Sequence, residues 1–134
     1  MAEKILLEIV TPERKVVSET VDIVVAPGEL GEFGVLPGHI AFLCKLKIGE
    51  LRYRVGATSR HIAIMGGYAE VLNNQVTILA TAAEAATEID VIRAKAARER
   101  AERRIAESRD KLEFARAQAA LQRAMARLKV AERQ

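Results

Sequence analysis

Four arginines stand out from the basic end of the chain. Arg123 and Arg127 are four residues apart, and Arg93 and Arg100 are seven apart. If both segments are helical, each spacing puts its pair on one helix face. If the helices run antiparallel, the start of the first lies beside the end of the second, and the four guanidinium groups meet. They would repel one another unless an anion sat between them. A triphosphate fits, because the planar guanidinium fork matches phosphate oxygens. Pairing with Glu99, Glu132 or carboxylates from elsewhere in the chain is the other reading.

Other groups that could do chemistry lack partners in the sequence. His39 has no Ser, Cys or carboxylate constellation around it and reads as a turn residue. His61 sits in an alternating stretch and reads as structural or surface. The run "GELGEFGVLPGH", Gly28 to His39, is glycine-rich, but "IAFLCKL" follows it as a strand-like run. The Gly-Lys-Ser/Thr ending of a phosphate loop is missing. No spacing of His, Asp or Glu predicts a metal site, and no enzyme signature is present. Cys44 is the single cysteine, so no disulfide framework is expected. It should pack as a small apolar residue in a reducing compartment.

The elements that must position the arginines follow from a change of period. The last glycine is Gly67 and the last proline Pro37, so turn punctuation is confined to the first half. There the pattern alternates. "ILLEIV" (Ile5–Val10) and "VDIVVA" (Val21–Ala26) read as strands, as do "LRYRV" and "HIAIM". "EVLNNQVTIL" reads as a hairpin turning at Asn73-Asn74, since Asn tolerates the left-handed conformation a tight turn needs. Gly66-Gly67 predicts a bulge or sharp bend. Many short strands with frequent turns predict a β-sandwich or barrel.

From about Thr87 the period becomes helical. Thr87 is the expected cap, with Asp90 favourable near the positive helix end. Ile92, Ala96, Ala101 and Ile105 make one stripe. A second helix starts near Ser108 or Asp110, with Phe114, Ala117, Leu121, Met125 and Leu128 recurring at spacings of three and four. The result is an antiparallel two-helix hairpin with a thin, Ala-rich seam. High intrinsic propensity should keep each helix intact even when displaced.

Charge divides at the same place. Residues 1–89 carry 8 Lys+Arg and 11 Asp+Glu, and residues 90–134 carry 13 and 7. The halves are therefore −3 and +6, which predicts different partners. Aromatics are 4% of the chain and Trp is absent, which argues against base-stacking surfaces. Acidic residues interleaved with the basic ones argue for solvated helix faces over a nucleic-acid surface. The Met1-Ala2-Glu3-Lys4 start predicts no secretory signal, and no apolar run approaches the ~20 residues that span a bilayer.

Four blocks then resemble, in order, the epsilon-subunit family of bacterial F-type ATP synthases: "GEFGVLPGH", "GGYAEVLNNQVTILA", "AAEAATEIDVIRAKAARERAERR" and "LQRAMARLKVA". The resemblance implies a β-sandwich over residues 1–86 and a regulatory helical hairpin over 87–134. It implies a non-catalytic rotor subunit in the central stalk at the cytoplasmic face of the inner membrane. The sandwich would bind the gamma subunit and the ring of c subunits, with Gly31, Glu32 and Phe33 at the c ring. The hairpin would restrain ATP hydrolysis by reaching the alpha/beta head. The family motif I/L-D-x-x-R-A matches Ile89 to Ala94. It implies a regulatory ATP site at Glu84, Asp90, Arg93, Ala94, Arg100, Arg123 and Arg127, with no required cofactor. The alternative is a free-standing β-sandwich adaptor whose basic hairpin binds acidic proteins or nucleic acid.

Overall fold

The computed structural model describes residues 3–133; Met1, Ala2 and Gln134, at the ends of the two expected domains, lie outside them. Strands run β1 Ile5–Val10, β2 Lys15–Val21, β3 Ile23–Gly28, β4 Gly31–Val35, β5 Phe42–Val55, β6 Thr58–Leu72, β7 Gln75–Ala80 and β8 Ala83–Ala85. They pair in the order β2-β1-β7-β6-β5-β3-β4, with β8 also on β6. A short 3₁₀ turn, Ala86–Glu88, leads to helices α1, Val91–Glu107, and α2, Lys111–Ala131. A β-sandwich followed by a helical hairpin is the expected fold class.

The segment read as one strand over Val21–Ala26 is broken at Asp22. Val21 pairs with Ile5 of β1, while Ile23 pairs with Arg54 of β5. The chain changes partner between them. Asp22 fixes the crossing by ion pairing with Lys4 and by accepting the Gly56 N–H at 2.7 Å. A continuous β-branched run concealed the break, because Asp22 acts through partners remote in sequence.

"LRYRV" and "HIAIM" are parts of much longer strands. β5 and β6 pair along their whole length, from Phe42↔Val71 to Val55↔Thr58. Their inward faces change parity midway. On β6 the core residues are Ile62 and Ile64, then Ala69 and Val71; on β5 they are Leu46, then Leu51 and Tyr53. A shift of one residue turns a strand's side chains to the other face. Both strands turn over at the level of Gly66-Gly67, so one hairpin serves both layers of the sandwich. Gly66 and Gly67 have φ of 80° and 135°, and a Cβ on Gly67 would lie 2.0 Å from the Leu79 carbonyl oxygen. The expected bend is here, within one strand. The Asn73-Asn74 turn also forms as expected, with φ of 50° and 59°, as a left-handed pair joins twisted strands best.

The reversal decides where the helices sit. Beyond it, Ile48, Ala63 and Met65 face outward and form a second, smaller core with Ile89, Ala126 and Val130. Helix α2 therefore lies on the outer face of β5 and β6. Helix α1 packs on α2 through small residues: Ala94 and Ala101 on one side, Ala117 and Ala124 on the other, all buried. Small side chains let helices approach closely. That corrects the expected stripes. Ile92 is 83% exposed, and Phe114 and Met125 are exposed as well; the seam follows the alanines. The helix cap is also corrected. Thr87 lies in the 3₁₀ turn, and Asp90 caps α1 by accepting the Arg93 N–H at 3.0 Å. For α2, Asp110 accepts the Glu113 N–H at 2.8 Å.

Candidate functional site

The start of α1 and the end of α2 meet over the sandwich at a cleft of about 340 Å³, lined by Glu84, Glu88, Asp90, Arg93, Ala94, Ala97, Arg100 and Arg127. Six of the seven residues expected to bind a nucleotide are thus gathered at one place, from β8, the cap of α1 and both helices. Arg123, the seventh, is not among them and lines a second hairpin cleft of about 600 Å³ with Arg104 and Arg116.

Local geometry explains the assembly. Asp90 is held by capping, which fixes its carboxylate at the positive end of α1. Ala94 is buried in the helix seam, where a larger side chain would push the helices apart and widen the cleft. Glu84 accepts from the Arg127 Nε at 2.5 Å, a half-buried ion pair joining the sandwich to α2. Glu88 accepts from the Ala85 N–H at 3.1 Å and from Arg14 Nη2 at 2.9 Å. Three carboxylates face three guanidinium groups, but they do not all neutralise one another. Among the described residues, neither Arg93 nor Arg100 has an ion pair, and Glu99 and Glu132 pair with none of the four arginines. Of the two sequence readings, carboxylate pairing holds for Arg127 alone. Two unpaired guanidinium groups beside a helix cap are suited to a polyanion.

Glu88 and Ala97 line the cleft without having been expected there. Glu88 had a signal, since it stands three residues after Ala85 at a helix start, where a carboxylate reaches back to a free N–H. Ala97 had none beyond its place on the face of Arg93 and Arg100.

The other expected site lies at the β3–β4 hairpin. Gly31 sits at its tip with φ 138°, next to a fully exposed Leu30. Phe33 is half-buried and meets Phe42 edge-on at a centroid distance of 5.2 Å. Glu32 accepts from Arg52 Nη1 at 2.8 Å and Nη2 at 3.5 Å. That bond, with smaller contributions from Lys129 and Lys47, holds its carboxyl below the ordinary glutamate range. Leu30, Leu36, Ile40 and Leu43 are exposed around this end, forming an uncovered apolar rim. His39 is in a turn, with its N–H donated to the Leu36 carbonyl at 3.2 Å. Cys44 packs against the sandwich core, and burial pushes its thiol up. Among the described residues no group of three or more His, Cys, Asp or Glu could hold a metal ion, and no helix is long and apolar enough to cross a membrane.

Comparison with known proteins accounts for both halves. The family model "ATP synthase, Delta/Epsilon chain, beta-sandwich domain" matches residues 4–86, and "ATP synthase, Delta/Epsilon chain, long alpha-helix domain" matches 87–132. The ATP synthase epsilon chain of Syntrophobacter fumaroxidans is 80% identical over 99% of both chains. That of Nitratidesulfovibrio vulgaris strain DP4 is 54% identical over 97% of both. A chain in the cryo-EM structure of the Euglena gracilis mitochondrial ATP synthase, OSCP/F1/c-ring in rotational state 1, superimposes with a TM-score of 0.82 at 26% identity, covering 96% of this chain and 81% of that one. Two family models matched in order and relatives matched over nearly their full length agree with the fold: the chain belongs to the epsilon-chain family of bacterial F-type ATP synthases.

Proposed function

We propose that this non-catalytic central-stalk subunit couples ion flow to ATP synthesis through its sandwich and restrains ATP hydrolysis through its hairpin, with ATP favouring the docked hairpin. The sandwich would bind the gamma subunit, and the rim around Gly31, Glu32 and Phe33 would meet the c ring. The complex would lie at the cytoplasmic face of the inner membrane, with this chain peripheral. The observation that carries the regulatory part is the cleft over the sandwich. Its unpaired Arg93 and Arg100 come from α1, Arg127 comes from α2, and Glu84 and Glu88 come from the sandwich side. A ligand held there by all of them binds only while the hairpin is docked. A ligand shifts a conformational equilibrium only by its differential affinity for the states. Glu84, Asp90 and Ala94 would face the adenosine, and the arginines the phosphates, with Arg123 one turn along α2 from Arg127.

Release of the hairpin is energetically accessible on this reading. Among the described residues of the two helices, Val130 is the one large side chain buried on the sandwich, and the other buried helix residues are alanines; Ile89, before α1, shares the same small core. Helices rich in Ala, Arg, Lys and Glu keep their own structure when displaced, leaving α2 free to reach the alpha/beta head. Two experiments test the proposal. Co-expression with the gamma subunit should give stoichiometric recovery; recovery of this chain alone would favour the free-standing adaptor. Calorimetric titration with ATP should give one site per chain, and no heat at millimolar ATP would remove the nucleotide from the account.

A further inference from the structure

Helix α2 is fastened to the sandwich a second time, at its last turn. Glu50 of β5 points outward under α2, and its side chain is only 4% exposed. A carboxylate removed from water needs a counterion. Arg133, just past α2, supplies one through Nε at 3.1 Å from Glu50 Oε2. His61 of β6 reaches the same oxygen, its Nδ1 at 3.2 Å. Nδ1 is buried and, among the described residues, has no hydrogen-bond partner. The contact with Glu50 is near enough for ion pairing but misaligned for a hydrogen bond. Nothing in the nucleotide cleft uses these groups.

We propose that Glu50, His61 and Arg133 form a pH-sensitive latch: Arg133 neutralises Glu50 while the hairpin is docked, and a protonated His61 replaces it when the hairpin leaves. The proposal rests on the reading that the hairpin undocks. Its sign follows from the charges. In the docked state a proton on His61 would gain the attraction of Glu50 but meet the repulsion of Arg133 on the same carboxylate oxygen. In the released state Arg133 has gone with α2, the cover over His61 is lifted, and Glu50 remains as partner. The released state therefore takes up the proton more readily, and linkage makes falling pH favour release. Histidine is the side chain that ordinarily changes charge between about pH 5 and 8, so the test spans that range.

The other charged or titratable groups around this site do not change the sign. Arg52 of β5 stands directly opposite His61 in the β5–β6 ladder and pairs with Glu32 of β4, while Glu19 of β2, Tyr53 of β5 and Arg60 of β6 line the same cavity, and all belong to the sandwich. They face His61 in both states and drop out of the difference. Tyr53, buried and beside Glu19, is pushed up to about 12 and stays neutral across this range. Arg133 is the charged group at the cavity that departs with α2.

The test uses the isolated full-length chain and the NMR signal of the Met65 methyl group, which lies under α2 and does not exchange with water. A Val130→Asp variant, with a charge at the buried anchor, marks the signal of the released state. Between about pH 8 and about pH 6 the ratio of released to docked chain should rise roughly five- to tenfold. His61→Gln should flatten that response, and His39→Gln should leave it intact. Arg133→Gln, at an exposed position that cannot harm the sandwich, should raise the released fraction at pH 8 and weaken its pH dependence. A wild-type signal that does not move with pH, or an unchanged response in His61→Gln, would overturn the latch. The readout needs no other subunit, so it is independent of the hydrolysis assay that tests inhibition.

Discussion

Val130→Ala should release the hairpin without unfolding either part of the chain. Val130 is 0% exposed and packs among Ala63, Met65, Ile89 and Ala126. The sandwich core, around Ile5, Leu7, Ile9, Leu51 and Ile78, is a separate cluster and does not contain it. The substitution removes two methyl groups from the docked interface. At about 0.8 kcal/mol per buried carbon, with an added cost for the cavity left behind, docking loses about 1.5–3 kcal/mol. Each 1.4 kcal/mol or so is tenfold, so the docked-to-released ratio should fall about 10- to 100-fold. Alanine is the better helix former, but that preference acts in docked and released helices alike and cancels. The assay is limited trypsin digestion at one pH, since the hairpin is dense in Arg and Lys. Cleavage within residues 91–133 should accelerate by that factor while helical circular dichroism stays at the wild-type value. An unchanged cleavage rate would mean that Val130 does not govern docking. Simultaneous cleavage of the sandwich would mean that the two parts do not come apart as argued.

Three more outcomes follow from named contacts. Gly67→Ala places a Cβ 2.0 Å from the Leu79 carbonyl oxygen at φ 135°; it should cost about 3 kcal/mol or more and lower the melting temperature by at least about 10 °C, read by calorimetry. Arg123→Ala combined with Arg127→Ala should weaken ATP binding strongly and abolish any protection of the hairpin from trypsin by millimolar ATP; equal protection in the variant would leave these arginines as surface charge. The hydrogen bond from Lys4, then that from the Gly56 N–H, holds the Asp22 carboxyl below its ordinary value. Its contribution is therefore fully present above about pH 3.9 and lost as pH falls through the lower folded value. Asp22→Asn should melt earlier than wild type at neutral pH, with the gap closing below about pH 4.

How much could be read from the sequence depended on whether a residue acts locally. Asn73-Asn74 makes its turn from its own backbone preference, and the change from alternating to helical period marks the join near Thr87. The Ala-rich seam was visible in outline, but the larger residues at Ile92, Phe114 and Met125 drew the stripe to the wrong face. Close helix packing favours the small side chains, and amphipathic counting favours the large ones. Residues whose role depends on remote partners were missed. Asp22 looked like part of a strand because its partners are Lys4 and Gly56. Glu50 and His61 carried no signal, since their meeting requires the β5–β6 register and the reversal at Gly66-Gly67 that turns both outward. Part of the cleft over the sandwich was legible because helical spacing alone puts Arg93 with Arg100. The Glu84–Arg127 pair joins β8 to α2, and only the tertiary fold brings those together.

The regulatory reading is tested most directly by ATP hydrolysis in the assembled synthase, comparing the full chain with one truncated after Glu88. The truncated chain retains every strand from Ile5 to Ala85 and should still join the complex in stoichiometric amount. Hydrolysis should rise when the hairpin is missing, and raising ATP should stimulate the enzyme that carries the full chain more than the truncated one. Hydrolysis that stays the same or falls, with the truncated chain present in the complex, would contradict an inhibitory hairpin.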